Sequence, residues 1–223
     1  FIPNMFPGQF PYTELFGTPG LKFGDLEHGD KVIREYTEKF NEFNDFKVIC
    51  RYTLGTMGLV TVKPVETLNQ VKGMSIRASS NFMPFFENMG ANCVSMSAAD
   101  VYESIKLNVI DGVCTGINAI SRNKWAEVTN SVTILNMLNG DENIVISKRL
   151  YDQLPADLQQ VIDEVSKEME SILTEYTRFE EDKAIAEAIK TNPDFKVIEL
   201  SPEEEAKFLE LAAPLLEKKA KEL

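Results

Sequence analysis

The sequence predicts an α/β protein of two lobes sharing one chain, with mixed, mostly parallel sheets and a long helix towards the C-terminus. Three observations carry that expectation. Short apolar runs alternate with single amphipathic segments through the middle of the chain, the pattern of βαβ units. From Pro155 onwards, apolar residues recur every three or four positions over more than thirty residues, which marks one long helix. Hydrophobic residues make up 43% of the 223, enough for a packed core and too many for wholesale disorder.

The elements follow in order. The opening run 1–11 is dense in proline and phenylalanine, so it forms neither helix nor central strand, yet its rings need cover. Between 29 and 43, Val32, Ile33, Tyr36, Phe40 and Phe43 keep a helical period. Strands are expected at 46–51 and 58–62, then strand, helix and strand at 74–78, 80–89 and 93–96. A helix over 100–108 has Ser97 and Asp100 as competing caps. The stretch 109–115 passes through Asp111-Gly112 into a strand, a further helix carries Trp125, and strands at 131–138 and 144–147 flank the turn Asn139-Gly140-Asp141. The long helix sets Leu158, Val161, Ile162, Val165, Met169, Ile172, Leu173, Tyr176 and Phe179 on one stripe and ends at Asn192-Pro193. A strand at 195–200 precedes Ser201-Pro202-Glu203-Glu204, a capping box with proline at the first helical position. Acidic residues on these helices, including Glu180-Glu181-Asp182, read as a solvated face. No internal repeat or low-complexity linker separates the parts.

Composition excludes several functions. Lys+Arg 23 against Asp+Glu 35 gives a net charge of −12, which disfavours nucleic acid and anionic membrane as partners. No stretch approaches the ~20 apolar residues of a membrane span, so no direct membrane insertion is expected. The one histidine, His28, sits in a polar loop, so neither a His-rich metal site nor a His-based catalytic pair is available. Cys50, Cys93 and Cys114 are scattered and odd in number, and read as small buried apolar residues. No Gly-x-Ser-x-Gly, Cys–His pair, GxGxxG or phosphate loop is present. No cofactor, metal site or enzymatic activity is expected.

Three places can hold a ligand. Arg77 ends a predicted strand just before Ser79, Ser80 and Asn81, where ligands of open α/β sheets bind. Its planar fork matches a carboxylate, and the following helix start adds unpaired N–H groups. Pairing with a surface carboxylate of the protein is the equal alternative. Asp111-Gly112-Val113-Cys114-Thr115-Gly116-Ile117-Asn118 presents Thr115 and Asn118 at a strand end, though an ordinary strand with turn glycines fits the same pattern. Tyr52-Thr53-Leu54-Gly55-Thr56-Met57-Gly58 offers the Tyr52 ring, the Thr56 hydroxyl and backbone amides. Trp125 either walls a pocket or fills core, with core the default.

Taken in order, Phe6-Pro7 with the aromatic run to Pro19, Phe46-Lys47-Val48-Ile49, Lys63-Pro64-Val65-Glu66-Thr67-Leu68 and Val71-Lys72-Gly73-Met74-Ser75-Ile76-Arg77 form one series. It continues through Gly90-Ala91, Asp100-Val101-Tyr102, Val109-Ile110-Asp111-Gly112, Trp125-Ala126-Glu127-Val128 and Leu154-Pro155-Ala156-Asp157-Leu158-Gln159. Across nearly the whole chain this series resembles the solute-binding proteins of tripartite ATP-independent periplasmic (TRAP) transporters.

The resemblance implies a two-lobed periplasmic-binding-protein-like fold, with lobe I at 1–50 and 139–178 and lobe II at 51–138 and 179–223. It implies a periplasmic receptor that closes on a small organic acid and delivers it to the TRAP membrane permease. Arg77 would clamp the carboxylate. Thr115 would take the place of a ligand-facing side chain that is commonly Asn, while Asn118, Tyr52, Thr56 and Trp125 would shape the choice of acid. Some relatives carry a second basic residue in the loop matching Met57-Gly58. Its absence here points to a monocarboxylate with an apolar or weakly polar tail. The resemblance also implies that a βαβ-rich segment normally upstream of the Pro/Phe run is absent from this chain, leaving apolar faces that need cover. The rivals are an enzyme acting on a small organic acid on a similar bilobal scaffold, and a ligand-free sensor or scaffold.

Overall fold

Alternating side chains between 46 and 53 form strand β1 (Phe46–Thr53), which pairs antiparallel with β7 (Asp141–Ser147) in a sheet of two strands. The structure, a computed structural model, describes residues 2–3, 6, 8–23, 25–138 and 140–223. Pro7 of the Phe6-Pro7 motif and Asn139 of the expected turn lie outside the described residues.

The second sheet has six strands in the order β4 (Asn92–Val94), β3 (Ser75–Arg77), β5 (Gly112–Gly116), β2 (Thr56–Thr61), β6 (Ser131–Leu138) and β8 (Lys196–Glu199). β3 runs parallel to β4 and to β5, and β6 parallel to β8, whereas β2 is antiparallel to both its neighbours. The sheets are mixed, as expected. With β1–β7 included, parallel and antiparallel pairings are equal in number, because β2 arrives from the small sheet in the reverse direction. β6 and β7 flank the expected turn without pairing, since they belong to different sheets. The chain therefore crosses between sheets three times, at Leu54–Gly55, again around Gly140, and finally through the long helix that joins β7 to β8. Gly112 is needed for close packing of β5 on β2: a Cβ there would sit 2.5 Å from the Val60 carbonyl oxygen.

Strand alternation divides the core. Leu59, Ile76, Cys114 and Leu135 point to one side, where Phe85, Phe86 and Phe208 join them, with the rings of Phe85 and Phe208 4.4 Å apart. Val60, Val113 and Val132 point to the other and pack with Ile105, Ile120 and Trp125.

Helices form largely where periodicity puts them. α1 (Pro11–Leu15) is a short turn, and α2 (Leu26–Thr37) begins on Asp25, whose Oδ1 accepts from the His28 backbone N–H at 2.8 Å. α3 (Met83–Asn88) and α4 (Ala98–Lys106) follow. The two competing caps of α4 bond each other, Ser97 Oγ to Asp100 Oδ2 at 2.6 Å. The helix expected to carry Trp125 is broken: α5 (Ala119–Arg122) ends, Lys124 turns left-handed at φ 56°, and Trp125–Glu127 forms a 3-10 turn. α6 (Lys148–Tyr151) leads to α7 (Ala156–Thr191), whose 36 residues make a rod of about 54 Å. α8 (Pro202–Lys221) closes the chain.

Two expectations are corrected here. The apolar stripe of α7 is not its buried face: Leu158, Val161, Val165, Ile172, Tyr176 and Phe179 are exposed, while Thr177, Glu180, Glu181, Ala184 and Ala188 are buried. The helix packs on β1 and α5, where small and hydrogen-bonding residues allow close approach, and periodicity cannot tell which stripe meets a neighbour. The capping box of α8 is half formed. Ser201 Oγ accepts from Glu204 N–H at 3.3 Å, but the Glu204 carboxylate accepts from the Leu68 backbone N–H at 2.6 Å. A tertiary donor has outcompeted the local one.

A buried polar set holds β1 against α2 and α7. Asp30, 2% exposed, accepts from the Thr53 backbone N–H at 2.8 Å and from Thr174, and burial pushes its carboxyl above the usual range. Arg51, equally enclosed, donates from Nε to Asn143 Oδ1 at 2.7 Å and lies over the Phe43 ring. These bonds fix the strand that leads into the first crossing.

Candidate functional site

Because β3, β4 and β5 are parallel, Arg77, Val94 and Gly116 end at one edge of the large sheet. Antiparallel β2 brings its first residues to the same edge, with Met57 in register with Gly116. This is the edge at which open α/β sheets bind ligands.

Arg77 is half-buried there. Its Nε donates to the Met96 carbonyl oxygen at 3.1 Å, and it forms no ion pair with a described residue. Burial pulls its pKa below the ordinary guanidinium value, yet arginine keeps its charge in proteins. The surface-pairing alternative is thus not what the fold contains: the terminal nitrogens face no protein carboxylate among the described residues. Thr115 lies two residues beyond Val113, the β5 partner of Arg77, and so on the same face. It is half-buried and makes no side-chain hydrogen bond with a described residue, and its partner across β2 is Gly58, which has no side chain to cover it.

The other four residues are placed differently. Asn118 is buried, and its Nδ2 donates to the Leu54 carbonyl oxygen at 3.2 Å, tying the end of β5 to the first crossing. Thr56 opens β2, with its backbone N–H and hydroxyl directed to the Glu181 carboxylate of α7. Tyr52 belongs to the small sheet, where its hydroxyl donates to Glu142 Oε2 on β7 at 2.8 Å. Trp125 is 1% exposed within the core, its Nε1–H without a partner among the described residues. The structure therefore brings Arg77 and Thr115 together, adds Thr56 and Asn118 at the neighbouring crossing, and puts Trp125 in the packing.

Glu181 is the residue that sequence reasoning missed. It belongs to a run read as solvated, but it is buried and holds the crossing segment to α7. Gly55, at φ 97°, has no room for a Cβ against Glu181 and Thr177. The available signal was that glycine directly before Thr56. Desolvation raises the Glu181 pKa above 4.5, with the Thr56 hydrogen bonds opposing the rise. The folded state thus binds its proton more tightly than the unfolded state does. The linked stabilisation is complete below about 4.5 and is lost as pH rises through the higher folded value. Denaturant titrations of wild type and Glu181→Gln should therefore show the variant gaining relative stability from pH 4.5 upward. A pH-independent difference would mean that Glu181 is not desolvated.

A cavity of about 570 Å³ lined by Lys63, Pro64, Lys72, Met74, Ile110 and Asp111 opens at the opposite end of the strands, beside the starts of β3 and β5. Among the described residues no group of three His, Cys, Asp or Glu side chains could hold a metal, and no helix is long and apolar enough to cross a membrane. Burial pushes the Cys50 thiol up to about 11 and raises Cys93 and Cys114 as well, which keeps all three protonated and unreactive.

Comparison with known proteins identifies the family and the fold. The family model for bacterial extracellular solute-binding protein, family 7, matches residues 11–222. The ectoine/5-hydroxyectoine-binding periplasmic protein UehA of Ruegeria pomeroyi is 22% identical over 219 residues, 95% of this chain and 65% of its own length. The 2,3-diketo-L-gulonate-binding periplasmic protein YiaO of Escherichia coli is 27% identical over 166 residues, 71% of this chain and 50% of its own. Among solved structures, a TRAP periplasmic solute-binding protein of Desulfovibrio salexigens superposes with a TM-score of 0.88 at 21% identity, covering 99% of this chain and 69% of that one. A Sulfitobacter TRAP protein with bound β-D-galacturonate gives 0.86 at 22%, covering 98% and 74%. The chain thus spans about two thirds or less of these curated relatives, and each of them is named as a binding protein, not as an enzyme. A family match over nearly the whole length, on a fold that superposes on solved TRAP binding proteins, leads to one conclusion: the chain belongs to bacterial extracellular solute-binding protein family 7, the solute-binding proteins of TRAP transporters.

Proposed function

We propose that the protein binds a small organic acid at the carboxyl edge of the large sheet, with Arg77 holding the carboxylate, and delivers it in the periplasm to a TRAP membrane permease. The observation that carries this reading is the half-buried Arg77 with no ion pair among the described residues. A partly desolvated cation without a counter-charge is costly, and a bound carboxylate offsets that cost with two parallel hydrogen bonds. Thr115 sits beside it to orient the acid, while Thr56, Asn118 and Tyr52 line the approach from the first crossing. Trp125 supports the strand ends from within the core. The relatives support the acid class, since diketogulonate and galacturonate each carry a carboxylate.

The lobes in this reading are 1–50 with 139–178, which hold the small sheet except for the last three residues of β1, and 51–138 with 179–223, which hold the large sheet. The crossings at Leu54–Gly55 and near Gly140 act as the hinge. A ligand bridging the lobes favours closure by its extra contacts in the closed state. Calorimetry with acids and their uncharged amides, such as benzoate against benzamide and butyrate against butyramide, tests the charge requirement. At least one acid should bind, with its amide at least about tenfold weaker. Amides binding as well as acids, or no acid binding at all, would refute the reading.

A further inference from the structure

We propose that the cavity of about 570 Å³ at the far end of the large sheet is a separate ligand site, for a small organic phosphomonoester. It stands apart from Arg77. β3 and β5 carry Arg77 and Thr115 towards one edge of the sheet, and the cavity lies beside the starts of the same strands. Its volume falls within the ~300–1,000 Å³ of small-molecule sites. Two lips enclose it, one from residues 62–74 and one from 108–111. Gly73, at φ 81°, turns the first lip into β3, and Asn108, at φ 57°, turns the second away from α4.

Donors dominate the polar part of the wall. Gln70 Oε1 accepts from the backbone N–H groups of Glu66 and Thr67 at 2.7 and 2.8 Å, which leaves Nε2 as a donor already held in place. Lys63 and Lys72 add two ammonium groups, and neither side chain has an ion pair or hydrogen bond with a described residue. Glu66, the carboxylate nearest to both in sequence, is taken by Lys196 at 3.8 Å. Asp111, the one acidic side chain on the wall, accepts from the Ser75 N–H at 2.8 Å. The wall thus carries two free cations against one committed carboxylate, in a chain of net charge −12. Lysine meets phosphate as a point charge, and a phosphomonoester brings close to two negative charges and three acceptor oxygens. Two ammonium groups and one amide N–H match that set, whereas a single carboxylate would leave one cation unmatched. The remaining wall is apolar, with Val62, Met74 and Ile110, so it takes an organic substituent. Leu107 and Val109, on either side of Asn108, are 69% and 61% exposed, more than any other large apolar side chain among the described residues. They extend the apolar surface at the rim.

The test is calorimetry at neutral pH with phenyl phosphate, inorganic phosphate and phenol, on wild type, the double variant Lys63→Gln/Lys72→Gln, and Arg77→Met. Wild type should bind phenyl phosphate, with inorganic phosphate and phenol each about tenfold weaker or more. The double variant should lose about tenfold or more in phenyl phosphate affinity at an unchanged melting temperature, since both lysines are exposed. Arg77→Met should bind phenyl phosphate within about twofold of wild type. Co-sedimentation with phosphatidylcholine vesicles containing phosphatidic acid separates a soluble ester from a lipid headgroup. No capture is expected, because the net charge of −12 opposes an anionic surface. The proposal is overturned if phenyl phosphate does not bind, or if its binding survives the double variant or disappears in Arg77→Met. Capture by the vesicles, or inorganic phosphate binding as tightly as the ester, overturns it as well. None of these outcomes bears on organic-acid binding at Arg77, which has its own variants and ligands.

Discussion

Arg77→Met should lose organic-acid binding by about 2–5 kcal/mol, roughly thirtyfold to several thousandfold in Kd, while the protein stays folded. The reasoning is electrostatic. Arg77 is half-buried with its Nε committed to Met96, and its terminal nitrogens form no ion pair with a described residue. Methionine fills a similar volume without charge, which leaves an incoming carboxylate desolvated and unmatched. Arg77→Lys should recover only part of the loss, because an ammonium keeps the charge but not the planar fork. Calorimetry reads the affinity, and thermal unfolding shows that the loss is not a folding defect. Near-wild-type affinity in Arg77→Met would remove this residue from the site.

Trp125→Ala should destabilise the protein by about 3–5 kcal/mol, the cost of emptying a large buried aromatic site. In a chain of this size that lowers the melting temperature by roughly 6–20 °C. The indole is enclosed with Ile105, Ile120 and Val113, and its unpartnered Nε1–H already carries a small penalty. Trp125→Phe should therefore cost less than about 1.5 kcal/mol, since it keeps most of the volume and discards the unsatisfied donor. Acid affinity in the phenylalanine variant should match wild type. A variant as stable as wild type that no longer binds acids would move Trp125 from the packing into the site.

How much was legible can be argued residue by residue. β1, β3, β5, β6 and β8 arise where short apolar runs predicted strands, because alternation and β-branching act locally. The start of α8 was legible too, since Pro202 and Ser201 act within one turn. The position of Arg77 at a strand end was visible for the same reason. Its lack of an ion pair with the described residues was not, because that depends on where 35 acidic side chains fall in space. Glu181 and the α7 stripe went the other way. A helical period gives a face but not the neighbour, and here β1 and α5 meet the side bearing Thr177, Glu181 and Ala184. The helix around Trp125 broke at Lys124, which took a left-handed turn that no glycine announced.

The sequence alone determined the α/β class, the long helix, the family and the choice of a guanidinium at a strand tip, since each follows from residues close together in the chain or from their order. Only the tertiary structure decided which strands share a sheet, that β2 runs against its neighbours, and that Glu181 clamps a crossing 125 residues away. Those outcomes are set by contacts between distant segments competing for the same hydrogen bonds and the same packing space. No local pattern records which competitor wins.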